Sequence, residues 1–330
     1  MSKIVVAGVA GFIGWHVAKQ LLHQGYEVVG VDNLNDAYDV RLKEWRLREL
    51  RLRAGFEFRR VDVACRKELD SFFSVLLESG EAVEAVINLA ARAGVRPSVR
   101  DPWAYYVANV VGTLNLLEIC RQSGVGKFVL ASTSSVYGDG ELPFHEDQRT
   151  DRLLSPYAAS KSAAEGLCHV YHHLHGLDIS VLRYFTVYGP AGRPDMSYFR
   201  FIKSIAEGEK LLVHGDGSQT RDFTYVDDIA DGTVRALRAV GYEVINLGSD
   251  RPVQLREMIR VLESLLGRKA QIDYGPSPPE DVRATWADVS KAARLLDWRP
   301  TTSLQVGLQK AVEWYLENHE LASSIAIDGT

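Results

Sequence analysis

Apolar runs of four to six residues recur along the chain, separated by longer stretches with helical periodicity. Ile4-Val5-Val6-Ala7 is the first. Val28-Val29-Gly30-Val31, Phe56-Glu57-Phe58, Ala85-Val86-Ile87-Asn88-Leu89, Phe128-Val129-Leu130-Ala131 and Ile179-Ser180-Val181-Leu182 follow. Runs this short, rich in β-branched residues and alternating with helices, predict parallel strands buried on both faces. Helices are expected near Phe12–Gln24, Val40–Arg53, Arg66–Glu78, Pro102–Gln122, Pro156–His175 and Ser197–Glu207. The alternation predicts an α/β fold, a Rossmann-type doubly wound parallel sheet.

The rhythm breaks after about Tyr188, at Gly189-Pro190-Ala191-Gly192-Arg193-Pro194. Beyond it lie a helix, short strands, the proline-rich turn Pro276-Ser277-Pro278-Pro279 and a closing helix near Ser303–Asn318. The expected organisation is a nucleotide-binding domain over 1–187 and a smaller C-terminal α/β substrate lobe over 188–330. A segment about 225–248 is expected to return to the first sheet through Val244-Ile245-Asn246-Leu247.

Composition narrows the class. The 330 residues are 46% hydrophobic and 25% charged, as in globular proteins, and the net charge of -5 comes with both signs mixed. No basic block points to nucleic acid, and no apolar run is long enough for a membrane. The cluster Arg41 to Arg53 reads as a solvated helix face. Cys65, Cys120 and Cys168 are odd in number and lack metal-ligand spacing, so a reducing, cytoplasmic setting and no metal site are expected. His169, His172, His173 and His175 share one helix and read as a polar face. Lys3 to Ala7 reads as a strand, not a leader.

The first candidate site is Gly8-Val9-Ala10-Gly11-Phe12-Ile13-Gly14, between the first strand and the first helix. Its glycines allow a tight turn, close approach of a pyrophosphate to the backbone, and close helix–strand packing. Asp32 ends the second strand, where a carboxylate accepts bonds from a ribose diol and repels a 2′-phosphate, so NAD is expected over NADP. Asp62-Val63 borders the expected adenine position; a helix N-cap explains Asp62 equally well.

The second candidate is Tyr157 with Lys161, one helical turn apart, together with the hydroxyl run Ser132-Thr133-Ser134-Ser135 upstream. A lysine beside a tyrosine lowers the phenol's pKa, and the hydroxyls share the proton. This is a relay for oxidising an alcohol beside a hydride acceptor.

In this order the motifs resemble the extended short-chain dehydrogenase/reductase family, with its NAD-dependent epimerases and dehydratases. The matching pieces are Gly8–Gly14, Asp32-Asn33-Leu34, Asp62-Val63, Asn88-Leu89-Ala90-Ala91, Ser132–Tyr137, Tyr157–Lys161, Arg183-Tyr184-Phe185 and Arg221-Asp222-Phe223-Thr224-Tyr225-Val226-Asp227-Asp228. The resemblance implies a catalytic triad of Thr133, Tyr157 and Lys161. It implies NAD contacts at Phe12, Ile13, Asn33, Asn35, Leu89, Ala90, Ala91, Ser132, Tyr157, Tyr184 and Val187, and at Lys161 as the nicotinamide-ribose ligand. Asn109 joins them, with a structural helix role as its alternative. Arg221 is implied as the ligand of a nucleotide diphosphate, against a buried pair with Asp222 or Asp227. Arg96, Val213, His214 and Arg283 are further implied substrate contacts, His214 stacking on uracil or simply lying on a surface loop.

Within the family, dehydratases carry an acid pair after the threonine and UDP-glucuronate decarboxylases a glutamate at the position of Ser135. This chain has serines, which leaves C4 epimerisation. Asp32 to Asp39 and Phe185 to Met196 look like UDP-glucuronate 4-epimerases, with Thr186, Ser134, Ser135 and Arg193 positioned for a sugar carboxylate. Pairing with Asp195 is the alternative for Arg193. UDP-glucose 4-epimerase, UDP-glucuronate decarboxylase and a non-catalytic NAD-binding regulator are the competing expectations. The resemblance also implies a homodimer through the helices near Pro102–Gln122 and Pro156–His175.

Overall fold

A computed structural model describes residues 3–78, 82–276 and 282–327. The proline-rich turn expected at 276–279 lies largely outside them, with Pro276 alone described.

A seven-stranded sheet forms the core. Its strands are β1 (Lys3–Ala7), β2 (Glu27–Asp32), β3 (Phe56–Arg60), β4 (Val83–Asn88), β5 (Lys127–Thr133), β6 (Asp178–Tyr184) and β10 (Tyr242–Leu247), in the order β10-β6-β5-β4-β1-β2-β3. Every pairing in it is parallel. The order reverses beside β1, so β1 and β4 diverge above their carboxyl ends, where ligands bind in open sheets of this kind. The expected returning strand is present as β10, next to β6. The central strands are apolar throughout because helices cover both faces.

On these faces lie α1 (Phe12–His23), α2 (Val40–Arg51), α3 (Arg66–Glu78), α4 (Val95–Arg100), α5 (Pro102–Tyr105), α6 (Gly112–Ser123) and α7 (Pro156–His175). A three-stranded sheet joins β7 (Thr186–Tyr188), β9 (Thr220–Tyr225) and β11 (Pro252–Gln254), and β8 (Lys210–His214) pairs with β12 (Gln271–Gly275). The helices α8 (Ser197–Glu207), α9 (Val226–Arg235), α10 (Leu255–Leu266), α11 (Ser290–Leu296), α12 (Leu304–Glu317) and α13 (His319–Ser324) complete the chain. Between the two regions, His16 Nδ1 lies 2.6 Å from Asp227 Oδ1, and Gln20 donates to Asp231 at 3.3 Å.

Two features differ from the sequence expectation. The helix expected over Pro102–Gln122 contains a π-helical stretch, Tyr106–Val111, between α5 and α6. Such wide turns occur mostly at functional sites, and this one turns Asn109 inward, 1% exposed. The basic cluster Arg41 to Arg53 is only partly a solvated face. Lys43 and Arg46 on α2 are 5% and 0% exposed, their charged heads turned into the protein.

Candidate active site

The glycine loop is built for close approach. Gly8 has φ 79, and a Cβ there would stand 2.6 Å from Ala90 N and 2.7 Å from the Leu89 carbonyl. A Cβ on Gly14 would stand 2.1 Å from Gly8 O. Gly11 caps α1 with no side-chain hydrogen bond and no acid in the first turn, so the helix's positive end is open to a ligand anion. The Asp32 carboxylate accepts from Ala10 N at 3.2 Å and Leu34 N at 2.8 Å, at the end of β2. These features line one cleft of about 1120 Å³, together with Asn33, Asn35, Asp62, Val63, Leu89, Ala90 and Ala91. Asp62 lines this cleft but does not cap a helix: it accepts from Ala64 N at 2.9 Å in a local turn ahead of α3, which begins at Arg66, and from Asn33 Nδ2 at 3.0 Å. An open helix end and a ribose-facing carboxylate fit a dinucleotide.

Sequence reasoning missed Lys43 and Tyr38 in this cleft. Lys43 Nζ lies 3.7 Å from Asp32 Oδ1 and donates to Asn35 Oδ1 at 3.0 Å. The signal was the single lysine on the apolar face of α2, beside Leu42 and Leu47.

A second cleft of about 1220 Å³ adjoins the first and is lined by Thr133, Ser134, Ser135, Thr186, Val187, Arg193 and Arg221. Tyr157, Ser132, Tyr184 and Arg193 line both. Tyr157 therefore stands where a dinucleotide in one meets a ligand in the other. Ser155 sets this position: its Oγ accepts from Ala158 N at 3.2 Å, and Pro156 opens α7, so Tyr157 falls in the first turn. The Tyr157 ring packs edge-on against Tyr105, centroids 6.0 Å apart.

Thr133 ends β5, and its hydroxyl bonds the Tyr157 phenol on one side and Ser135 Oγ, at 3.2 Å, on the other. Burial raises the phenol's pKa; the Thr133 hydrogen bond and the Arg193 charge pull against it. This corrects the expectation that Lys161 depresses it. The Lys161 ammonium instead donates to Ala131 O at 2.8 Å, under β5. Burial lowers the Lys161 pKa to about 8, with the Glu165 charge acting against the shift. Glu165 in turn is held by Arg183, at 3.0 and 2.7 Å, and accepts from the Ser132 hydroxyl. Ser132 thus lines the cleft with its hydroxyl turned to Glu165.

Arg193 makes the pair with Asp195 that was the alternative expected of it, at the junction of the two clefts. It pairs with Asp195, Nε to Oδ1 at 3.0 Å, donates to Ala93 O at 3.1 Å, and still lines both clefts. Arg221 lines the second cleft, while Asp222 accepts from the backbone N–H groups of Ser249 and Ala287 and Asp227 faces His16. Arg283 receives hydrogen bonds on its carbonyl from Thr220 N and Arg221 Nη1, and the cleft is lined by its neighbours Val282 and Thr285. Arg96 on α4, and Val213 and His214 on β8, line neither cleft; His214 Nδ1 lies 3.2 Å from Pro276 O. Asn109 is a brace: its amide bonds Arg92 N, Arg92 O and Ser160 Oγ at 2.9–3.0 Å, and its neighbour Ala108 lines the cleft in its place. Among the described residues no group of His, Cys, Asp and Glu is placed to hold a metal ion.

Comparisons with known proteins agree with this geometry. The family model described as NAD dependent epimerase/dehydratase matches residues 4–248. A UDP-glucuronate 4-epimerase of Thermodesulfobacterium geofontis is 54% identical over 328 residues, 99% of this chain and 100% of that protein. A UDP-glucuronic acid 4-epimerase from Bacillus cereus, solved with UDP-glucuronic acid and NAD, is 41% identical and superposes with a TM-score of 0.88, covering 96% of this chain and 99% of that one. A UDP-glucose 4-epimerase from Thermotoga maritima, solved with UDP-glucose, is 31% identical with a TM-score of 0.85, covering 96% and 98%.

Proposed function

The chain belongs to the NAD dependent epimerase/dehydratase family, and from that premise we propose that it interconverts UDP-glucuronate and UDP-galacturonate. The observation that carries the reading is the composition of the reacting corner. Tyr157 stands between the two clefts and Thr133 lines the second, with hydroxyls at Ser134 and Ser135, where dehydration or decarboxylation needs a carboxyl group.

When bound in the first cleft, NAD supplies the hydride acceptor and later the hydride donor for C4. Everything else falls to side chains. Tyr157 takes the proton of the C4 hydroxyl, and Thr133 passes hydrogen-bond polarity on to Ser135. Lys161 holds its ammonium beneath the site through Ala131 O, and positive charge near the phenol favours the phenolate that must be present before the sugar proton is taken. With serines at 134 and 135 in place of an acid that would expel water or protonate an enolate, and the cleft carboxylate Asp195 tied to Arg193, the 4-keto sugar turns over, accepts hydride on its other face and recovers its proton from Tyr157. Arg221 is assigned to the diphosphate, and Thr186, Ser134, Ser135 and Arg193 to the sugar carboxylate. A planar guanidinium suits that group.

Residues 1–187 with 225–248 are assigned to NAD, and 188–330 otherwise to the sugar nucleotide. Offering UDP-glucuronate and UDP-glucose separately and resolving the products tests the reading.

A homodimer in the cytoplasm is part of the same proposal. Among the described residues no helix is long and apolar enough to cross a membrane, and the cysteines are free. Trp103, Val107 and Val111 on one side, and Val170 and Leu174 on α7, are exposed apolar groups; Trp103 is 79% exposed. A patch of this kind is typical of an interface. Light scattering at micromolar concentration is expected to give twice the chain mass, and Leu174→Glu with Val170→Glu to give the monomer. A monomeric parent chain would rule this assembly out.

A further inference from the structure

Arg46 is the largest buried cation without a task in the chemistry above. It sits on α2, 0% exposed, and lines neither cleft. A guanidinium has five N–H donors, and all five are used. Nε and Nη2 donate to Ala191 O at 3.0 and 2.7 Å, Nη2 to Gly192 O at 3.1 Å, and Nη1 to Ala10 O at 3.0 Å and Tyr38 Oη at 2.7 Å. Every acceptor is a carbonyl or a phenol. Burying a charge without an opposite partner is costly unless it is fully hydrogen-bonded, so the position is specified tightly.

Those acceptors come from three segments: the glycine loop, the loop before α2, and the turn that follows β7. The turn is the strained partner. Ala191 has φ 51, a left-handed backbone that its Cβ disfavours. Its carbonyl takes two of the five bonds. His16 Nε2 lies 3.2 Å from the neighbouring Pro190 O, a second strap from the cofactor side. Directly after this turn comes Arg193, which lines both clefts.

We propose that Arg46 is a positioning residue that clamps the 190–192 turn to the glycine loop and thereby fixes Arg193 against the substrate's carboxylate. The proposal rests on the assignment of UDP-glucuronate as substrate. It makes one side chain responsible for keeping the dinucleotide loop and the carboxylate-binding arginine in register. Lysine cannot replace it, since an ammonium is a compact point donor that cannot span three separate segments.

The test compares ligands that differ by the glucuronate. In a Tyr157→Phe background, in which turnover is slowed about 10³-fold, the Kd values of UDP-glucuronate and of UDP are measured by calorimetry with and without Arg46→Lys. UDP-glucuronate is expected to weaken about tenfold or more and UDP by less than about twofold. Equal weakening of both, or of neither, overturns the proposal, because a general loss of structure does not select the carboxylate. Should Arg46→Lys fail to give a cooperative melt, Arg46→Gln replaces it: an amide with two N–H donors cannot hold all three segments, and UDP-glucuronate is expected to weaken selectively by about threefold or more. An unchanged ratio there overturns the proposal as well. Failure of the functional reading looks different: the unmodified enzyme then makes no UDP-galacturonate, whatever the two affinities are.

Discussion

Tyr157→Phe is expected to lower kcat about 10³-fold, within the range for removing one general base, while leaving KM for UDP-glucuronate nearly unchanged. The phenol oxygen is the atom lost. The ring that packs edge-on against Tyr105 remains, so folding and the shape of both clefts are preserved. A drop of this kind, in kcat and kcat/KM together, marks an interaction made in the transition state. Steady-state assay with the melting temperature as a control reads it. The phenol's environment supports a large effect: burial holds it above the ordinary tyrosine pKa, so in the protein alone it stays protonated at neutral pH. It becomes a competent base only with positive charge added nearby, and Lys161, with its pKa lowered to about 8 by burial, responds to the same surroundings. A variant retaining most of its kcat would transfer the base to another group.

Thr186→Ala is expected to divert product. Oxidation at C4 turns a glucuronate into a β-keto acid. If the C5–carboxylate bond aligns with the carbonyl π system it breaks, its electron pair enters the enolate, carbon dioxide leaves and C5 takes a proton. Thr186 and Ser135 line the second cleft, with Arg193 at its junction with the first. In the binding mode proposed above, these groups would hold the carboxylate out of that alignment. Losing one hydrogen bond to a charged group is worth roughly a tenfold change in rate, so the share of decarboxylated pentose product should rise about tenfold in Thr186→Ala, and similarly in Ser135→Ala. Chromatography of the nucleotide products reads the share. If neither variant releases any pentose, geometric protection of the intermediate is wrong, even if the enzyme is an epimerase.

Much of this was legible because the chemistry needs short, local patterns. The strand β1, the glycines and α1 are contiguous, and Tyr157 and Lys161 lie one helical turn apart, so spacing placed them. Thr133 was legible as one of a run of hydroxyls after an apolar strand, and the family resemblance singled it out. What stayed hidden depends on direction rather than spacing. Lys43 and Arg46 lie in a run of basic residues that reads as a solvated face, and only the packing of Leu42, Leu47 and Leu50 shows which side of α2 turns inward. The π-helical stretch was invisible because its residues, Tyr106 to Val111, also suit an ordinary helix. Arg193 kept two readings open; the pair with Asp195 is observed, and it leaves the guanidinium at the junction of both clefts, compatible with the carboxylate role proposed for it. His214 and Val213 belong to a strand whose sequence resembles uridine-binding segments. They lie away from both clefts, a separation set by the tertiary placement of β8.

The most direct test of the account is to incubate the enzyme with UDP-glucuronate and, separately, with UDP-glucose, and to resolve the sugar nucleotides at equilibrium. UDP-galacturonate forming from UDP-glucuronate, with far slower or no conversion of UDP-glucose, is the predicted result. UDP-galactose as the sole product, or UDP-xylose accumulating from UDP-glucuronate, would contradict it.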